Sequence, residues 1–136
     1  MDRISWDEYF TKVAKLISSR SPCHRLHVGC VLVKDKRIVS SGYNGYISGA
    51  PHESIIEDNH EIATCHSEMN AVANACRNGI NLQNSIAYIT HYPCIHCFKI
   101  LAASGIKEII YIDDYRNNPH VETLANYSNV FIKKYE

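Results

Sequence analysis

The chain has no surplus of charge. Its 14 Lys and Arg residues balance 14 Asp and Glu, so the formal net charge is zero. A protein that grips a long nucleic-acid backbone normally carries a basic excess, because phosphate neutralisation dominates that affinity. The balance argues for a small-molecule ligand and no nucleic-acid partner. Long apolar runs are missing too: none approaches the roughly 18 residues that a membrane span needs. The opening "MDRISWDEYF" is mixed and charged, without the apolar stretch of a secretory signal. We therefore expect a cytoplasmic protein that does not engage a membrane. There is no internal repeat, linker or low-complexity segment, and we read residues 1–136 as one domain with a real core. In a reducing compartment its six cysteines are thiols or metal ligands rather than a disulfide framework.

The order of elements follows from periodicity and punctuation. Ser5 and Glu8 form a capping box, and Trp6, Tyr9, Phe10, Val13, Leu16 and Ile17 recur at helical spacing. "VGCVLV" and "RIVSSGY" are β-branched runs around Lys34-Asp35-Lys36, which predicts a hairpin. Residues 44–63 show no period and read as a long, functional loop. Residues 67–79 form a helix stopped by Gly79, and 85–90 form a buried strand. Pro93 suits the first turn of a helix, read over 94–105 and closed by Gly105. A strand at 108–113, a helix at 119–128 and a strand at 130–134 complete the chain. The alternation predicts an α/β fold, a three-layer α/β/α sandwich on a five-stranded mixed sheet. In such sheets ligands bind beyond the carboxyl ends of strands, near helix starts.

Two helix starts carry chemistry. In "HYPCIHC", Cys94 and Cys97 stand three apart on the first turn, so both sulfurs share one face. The positive end of the helix stabilises thiolates there. A catalytic zinc takes three protein ligands and leaves one position open. His66 in "CHSEMNAV", at another helix start, is the third candidate. Glu68, two residues on, points away from His66 and suits proton transfer at the open position rather than ligation. A redox pair would leave His66 and Glu68 unexplained, a c-type haem site would need His where Phe98 stands, and a closed structural zinc site would need a strained Cys65. A non-catalytic zinc module and a redox protein stay open as alternatives. Cys30 and Cys76 sit on apolar faces and read as core.

H-x-E followed by P-C-x-x-C resembles the zinc-dependent cytidine/deoxycytidylate deaminase superfamily, and the deoxycytidylate deaminases within it most closely. "VGCVLVKD", "SGYNG" with "GAPH", and "CHSEMNAV" are similar to that family's first strand, long loop and H-A-E-x-N-A helix, with Ser67 replacing alanine. The resemblance implies a cytidine deaminase-like fold. It also implies hydrolysis of dCMP to dUMP and ammonia, in pyrimidine deoxynucleotide metabolism toward dTTP. One catalytic Zn2+ would be held by His66, Cys94 and Cys97, with Glu68 as general acid/base. By position, Asn44 resembles the residue that bonds the sugar hydroxyl, Arg25 a phosphate contact, Tyr115-Arg116 the pair that closes over the phosphate, and His60 a further phosphate contact. A homohexamer activated by dCTP and inhibited by dTTP, with Mg2+ accompanying the triphosphate effector, is likewise implied. Residues 44–64 hold no cysteine, so a second, structural zinc known in some relatives should be missing or altered. The alternative substrate is dCTP or another cytosine nucleoside or nucleotide.

Overall fold

The computed structural model describes residues 2–136. Helix α1, Trp6–Ser18, starts at Ser5, whose hydroxyl accepts the Glu8 N–H at 3.0 Å. Strands β1, Gly29–Lys34, and β2, Arg37–Tyr43, form the expected hairpin. Asp35 and Lys36 both adopt positive φ, 52° and 61°, the requirement of a type I′ turn. After the next excursion come α2, Ser67–Arg77; β7, Ile86–His91; α3, Ile95–Ala103; β8, Glu108–Asp113; α4, Pro119–Ser128; and β9, Phe131–Lys134.

One sheet runs in the order β2-β1-β7-β8-β9. The pairs β2/β1 and β1/β7 are antiparallel, whereas β7/β8 and β8/β9 are parallel. Alternation along β1 divides the core in two. Cys30 and Leu32 face α2, α3 and α4 and join Ala71, Phe98, Leu101 and Val121, while Val31 and Val33 join Phe10 and Ala14 of α1. Three helices therefore cover one face and α1 covers the other, giving the expected three layers. Residue Gly79 at φ +68° and Gly105 at φ +96° end α2 and α3 in Schellman motifs. The Ile80 N–H reaches back to Ala75 O, and the Ile106 N–H to Leu101 O.

Residues 44–65 hold more order than a loop. Strand β3, Gly45–Tyr46, pairs with β6, Thr64–Cys65, and β4, Ile56–Glu57, pairs with β5, His60–Glu61. Another positive-φ pair, Asp58 and Asn59, turns β4 into β5. Three expectations need correction. Trp6, Tyr9 and Leu16 do not belong to the buried face of α1, which centres on Phe10 and Ala14; Leu16 is 72% exposed. Cys76 is exposed, because the buried stripe of α2 runs through Ala71 and Ala75, one position round the helix. Pro93 precedes α3 instead of entering it, since Cys94 is the N-cap. Among the described residues no helix is long and apolar enough to cross a membrane.

Candidate active site

Both helices that carry the motif begin beyond the sheet on the same face, and each begins with one of its residues. His66 is the N-cap of α2 and Cys94 the N-cap of α3, both with extended backbone. A residue in that conformation turns its side chain off the helix end, so the two point into one space. His66 Nδ1 lies 3.6 Å from Cys94 Sγ and 3.3 Å from Cys97 Sγ. The three donor atoms fall within 4.8 Å of one another. Tetrahedral zinc, with Zn–S of about 2.3 Å and Zn–N of about 2.0 Å, separates its ligands by about 3.5–3.8 Å. The donor set and its spacing fit that ion.

The Cys94 thiol is already biased toward ligation. The Cys97 N–H donates to Cys94 Sγ at 3.5 Å, so the sulfur itself caps the helix. Hydrogen bonds from Cys97 and from His66 hold the Cys94 thiol well below its usual range, while donation to Cys94 and burial push Cys97 up. These shifts favour the thiolate at Cys94, the form that ligates a divalent cation. The bond to Cys94 raises His66, against the effect of its burial.

Beside the donors lies Glu68, 5% exposed. Burial raises its carboxyl above the usual range, and the Ser67 hydroxyl, donating to Oε1 at 2.5 Å, opposes that shift. Ser67 is fully buried, so this bond is shielded from water. It holds the carboxylate in one rotamer.

A cavity of about 330 Å³ joins His66, Cys94 and Glu68 to Asn44, Tyr115 and Arg116. Asn44 is clamped at the start of the 44–65 excursion: its Oδ1 accepts the Val28 N–H at 2.8 Å and its Nδ2 donates to Leu26 O at 2.7 Å. One amide proton and one lone pair remain for a ligand. Arg116 holds φ at +46°, an uncommon conformation for a side chain of its size, and its guanidinium lies over the Tyr115 ring at 5.1 Å. Arg25 and His60 are both exposed and lie outside this lining, Arg25 beside Leu26 and His60 on β5. A larger groove of about 990 Å³ opens at the start of α1, around Trp6 and Lys36, and contains none of the donor residues. Sequence reasoning passed over His91 and Tyr92, which complete the cavity wall. Their one signal is position, at the carboxyl end of the central parallel strand.

Histidine and two cysteines about one ion, with a buried glutamate that is not a ligand, is the centre of the zinc nucleobase deaminases. Comparison with known sequences places the chain more closely. The family model described as the cytidine and deoxycytidylate deaminase zinc-binding region matches residues 4–113, and the chain belongs to that family. It is 39% identical over 140 residues to ComE operon protein 2 of Bacillus subtilis, covering 100% of this chain and 74% of that protein. It is 34% identical over 145 residues to the deoxycytidylate deaminase of Schizosaccharomyces pombe, covering 98% of this chain but only 45% of the yeast protein's length. The dCMP deaminase of cyanophage S-TIM5, solved in complex with dCMP and dUMP, superposes with a TM-score of 0.87 at 28% identity, over 99% of this chain and 100% of the phage chain.

Proposed function

We propose that this chain hydrolyses dCMP to dUMP with release of ammonia. The observation that carries the proposal is that one cavity is lined by two of the three metal donors, His66 and Cys94, and by Glu68 together with Arg116 and Tyr115, with the third donor, Cys97, buried beside them. Its volume is at the lower end for small-molecule sites and suits one nucleotide. The likeness to the yeast and phage enzymes supports the same substrate. His66, Cys94 and Cys97 are the proposed zinc ligands. Zinc, when bound, lowers the pKa of its water to about 7 and so supplies a nucleophile at neutral pH.

The chain's own residues do the rest. Glu68 accepts a proton from the attacking water and gives it to ring N3; after oxygen has added at C4, it takes the proton of the new C4 hydroxyl and delivers it to the amine, which leaves as ammonia as the C4 carbonyl forms. Its rotamer, fixed by Ser67, keeps one carboxylate within reach of both sites. Asn44 turns its remaining amide proton to the sugar hydroxyl. Tyr115 and Arg116 close over the 5′-phosphate; Arg25 and His60, which lie outside the cavity lining, are phosphate contacts on the family resemblance alone.

By resemblance alone we extend the reading to one domain over residues 1–136, a cytoplasmic homohexamer, activation by dCTP and inhibition by dTTP, with Mg2+ carried on the triphosphate. A panel of deoxycytidine, dCMP, CMP and dCTP tests the substrate. We expect dCMP to be preferred. Arg116→Ala should lower kcat/KM for dCMP about ten- to a hundredfold, as a lost charge-assisted hydrogen bond implies. A wild type that favours the nucleoside overturns the assignment, and one that takes dCTP as readily as dCMP moves it to the triphosphate.

A further inference from the structure

His91 ends β7 on the cavity wall, half-buried, with a ring whose two nitrogens have different fates. Nδ1 lies 2.8 Å from the hydroxyl of Thr90. Thr90 is buried, at 4% exposure, and its hydroxyl already accepts the Gly29 N–H at 3.1 Å. A backbone N–H can only donate, so the hydroxyl's own proton is free, and His91 Nδ1 is the acceptor beside it. The reverse arrangement would leave the Thr90 proton buried with no acceptor. Nδ1 therefore accepts, and the ring proton resides on Nε2. Nε2 meets no protein partner among the described residues. Burial also keeps the ring below its usual range, against the pull of Asp113, so it is neutral near pH 7.

The ring's neighbours indicate which ligand atoms it would meet. His91 packs edge-on against Tyr115 with centroids 5.9 Å apart, and Tyr115 in turn carries the Arg116 guanidinium. Among the described residues, Arg116 is the sole Lys or Arg of the cavity wall. A neutral N–H beside a guanidinium suits an acceptor-only anion better than a sugar hydroxyl, which must also donate.

We infer that His91 is a specificity-determining residue whose Nε2–H donates to the 5′-phosphate beside Arg116, with Thr90 fixing the tautomer. This rests on the dCMP reading above. The test is zinc-loaded protein, wild type against His91→Phe and His91→Gln. Phe keeps the ring and its contact with Tyr115 without the donor, and Gln restores a donor. For His91→Phe, the ratio of kcat/KM for dCMP to that for deoxycytidine should fall about tenfold or more, mainly through KM. Binding of dUMP, followed by calorimetry, should weaken by a similar factor while binding of deoxyuridine changes far less. His91→Gln should recover most of both. In wild type, 15N–1H correlation of the imidazole should show the Nε2–H form. Equal losses on nucleotide and nucleoside, or an Nδ1–H tautomer, overturn the inference while leaving the dCMP reading intact. A wild type that prefers the nucleoside overturns both.

Discussion

Gly42 tests how tightly the sheet sets the site. It lies in β2 directly under α2, and a Cβ built there would sit 2.5 Å from Ser67 O and 2.6 Å from Ala71 N. Both atoms are backbone, so no side chain can swing aside. Against the 3.4 Å at which ordinary contact begins, the helix falls about 0.9 Å short. Two hydrogen bonds bracket the contact and oppose a retreat: Ser40 Oγ donates to Ala71 O at 2.7 Å, and Asn70 Nδ2 to Tyr43 O at 2.9 Å. Moving α2 outward by that distance breaks or badly stretches both. Overpacking alone costs about 1–3 kcal/mol, and each strained hydrogen bond adds about 1. For Gly42→Ala we expect a loss of about 3–5 kcal/mol, or roughly 10–17 °C in Tm for a chain of this size. The displaced turn carries Ser67, between His66 and Glu68, and a shift near 1 Å at a reacting group can cost about a hundredfold in rate. Gly79→Ala is the control. It is strained by φ +68° but has nothing within 4 Å, so it should lose about 1–2 kcal/mol and keep its activity. Thermal melts and kcat for dCMP on zinc-loaded protein decide. A Gly42→Ala protein that melts with wild type and turns over normally would refute the claim that β2 positions the start of α2.

Two further outcomes bear on the centre itself. Glu68→Gln should retain zinc and melt close to wild type yet lose about 10²–10⁴ in kcat, because an amide cannot take the proton; near-normal turnover would assign that work to another group. Stripping the metal with a chelator should abolish activity and lower Tm, and Cys94→Ala should hold far less zinc, since the site ties α2 to α3. Zinc at full occupancy in Cys94→Ala would show that the ion is held elsewhere.

Most elements were legible because local chemistry and tertiary packing agree. Helix α4 runs over Pro119–Ser128 as its pattern implied, and Gly79 and Gly105 stop their helices as the chemistry of a left-handed residue requires. His66, Cys94 and Cys97 were legible because few roles need those residue types together. Helix α3 begins one residue later than its pattern implied because the Cys94 sulfur, rather than a hydroxyl or carboxylate, caps it. The exposure of Trp6 and Leu16 followed from how far α1 rolls on the sheet, which no periodicity records. His91 was silent because its partner is the adjacent Thr90, whose orientation depends on Gly29, 61 residues away. Arg25, on a connection, and His60, on β5, lie outside the cavity lining, and spacing does not record the tertiary contacts that set where those segments run.

The pairing of Gly45 with Cys65 makes the excursion between them a pouch with a drawn neck. Asn44 on one side of that neck is pinned to Leu26 and Val28, and His66 on the other is pinned as the cap of α2. Whatever lies beyond the neck can therefore change in length without moving either residue. Loop-closure entropy grows slowly, about 0.6 kcal/mol for each doubling of length, so even large changes would be tolerated thermodynamically. Natural variation and engineered insertions have room here. A peptide or small domain grafted between Ser48 and Pro51, where Gly49 and the exposed backbone around it contact little else, would hang from the molecule while the cavity kept its shape.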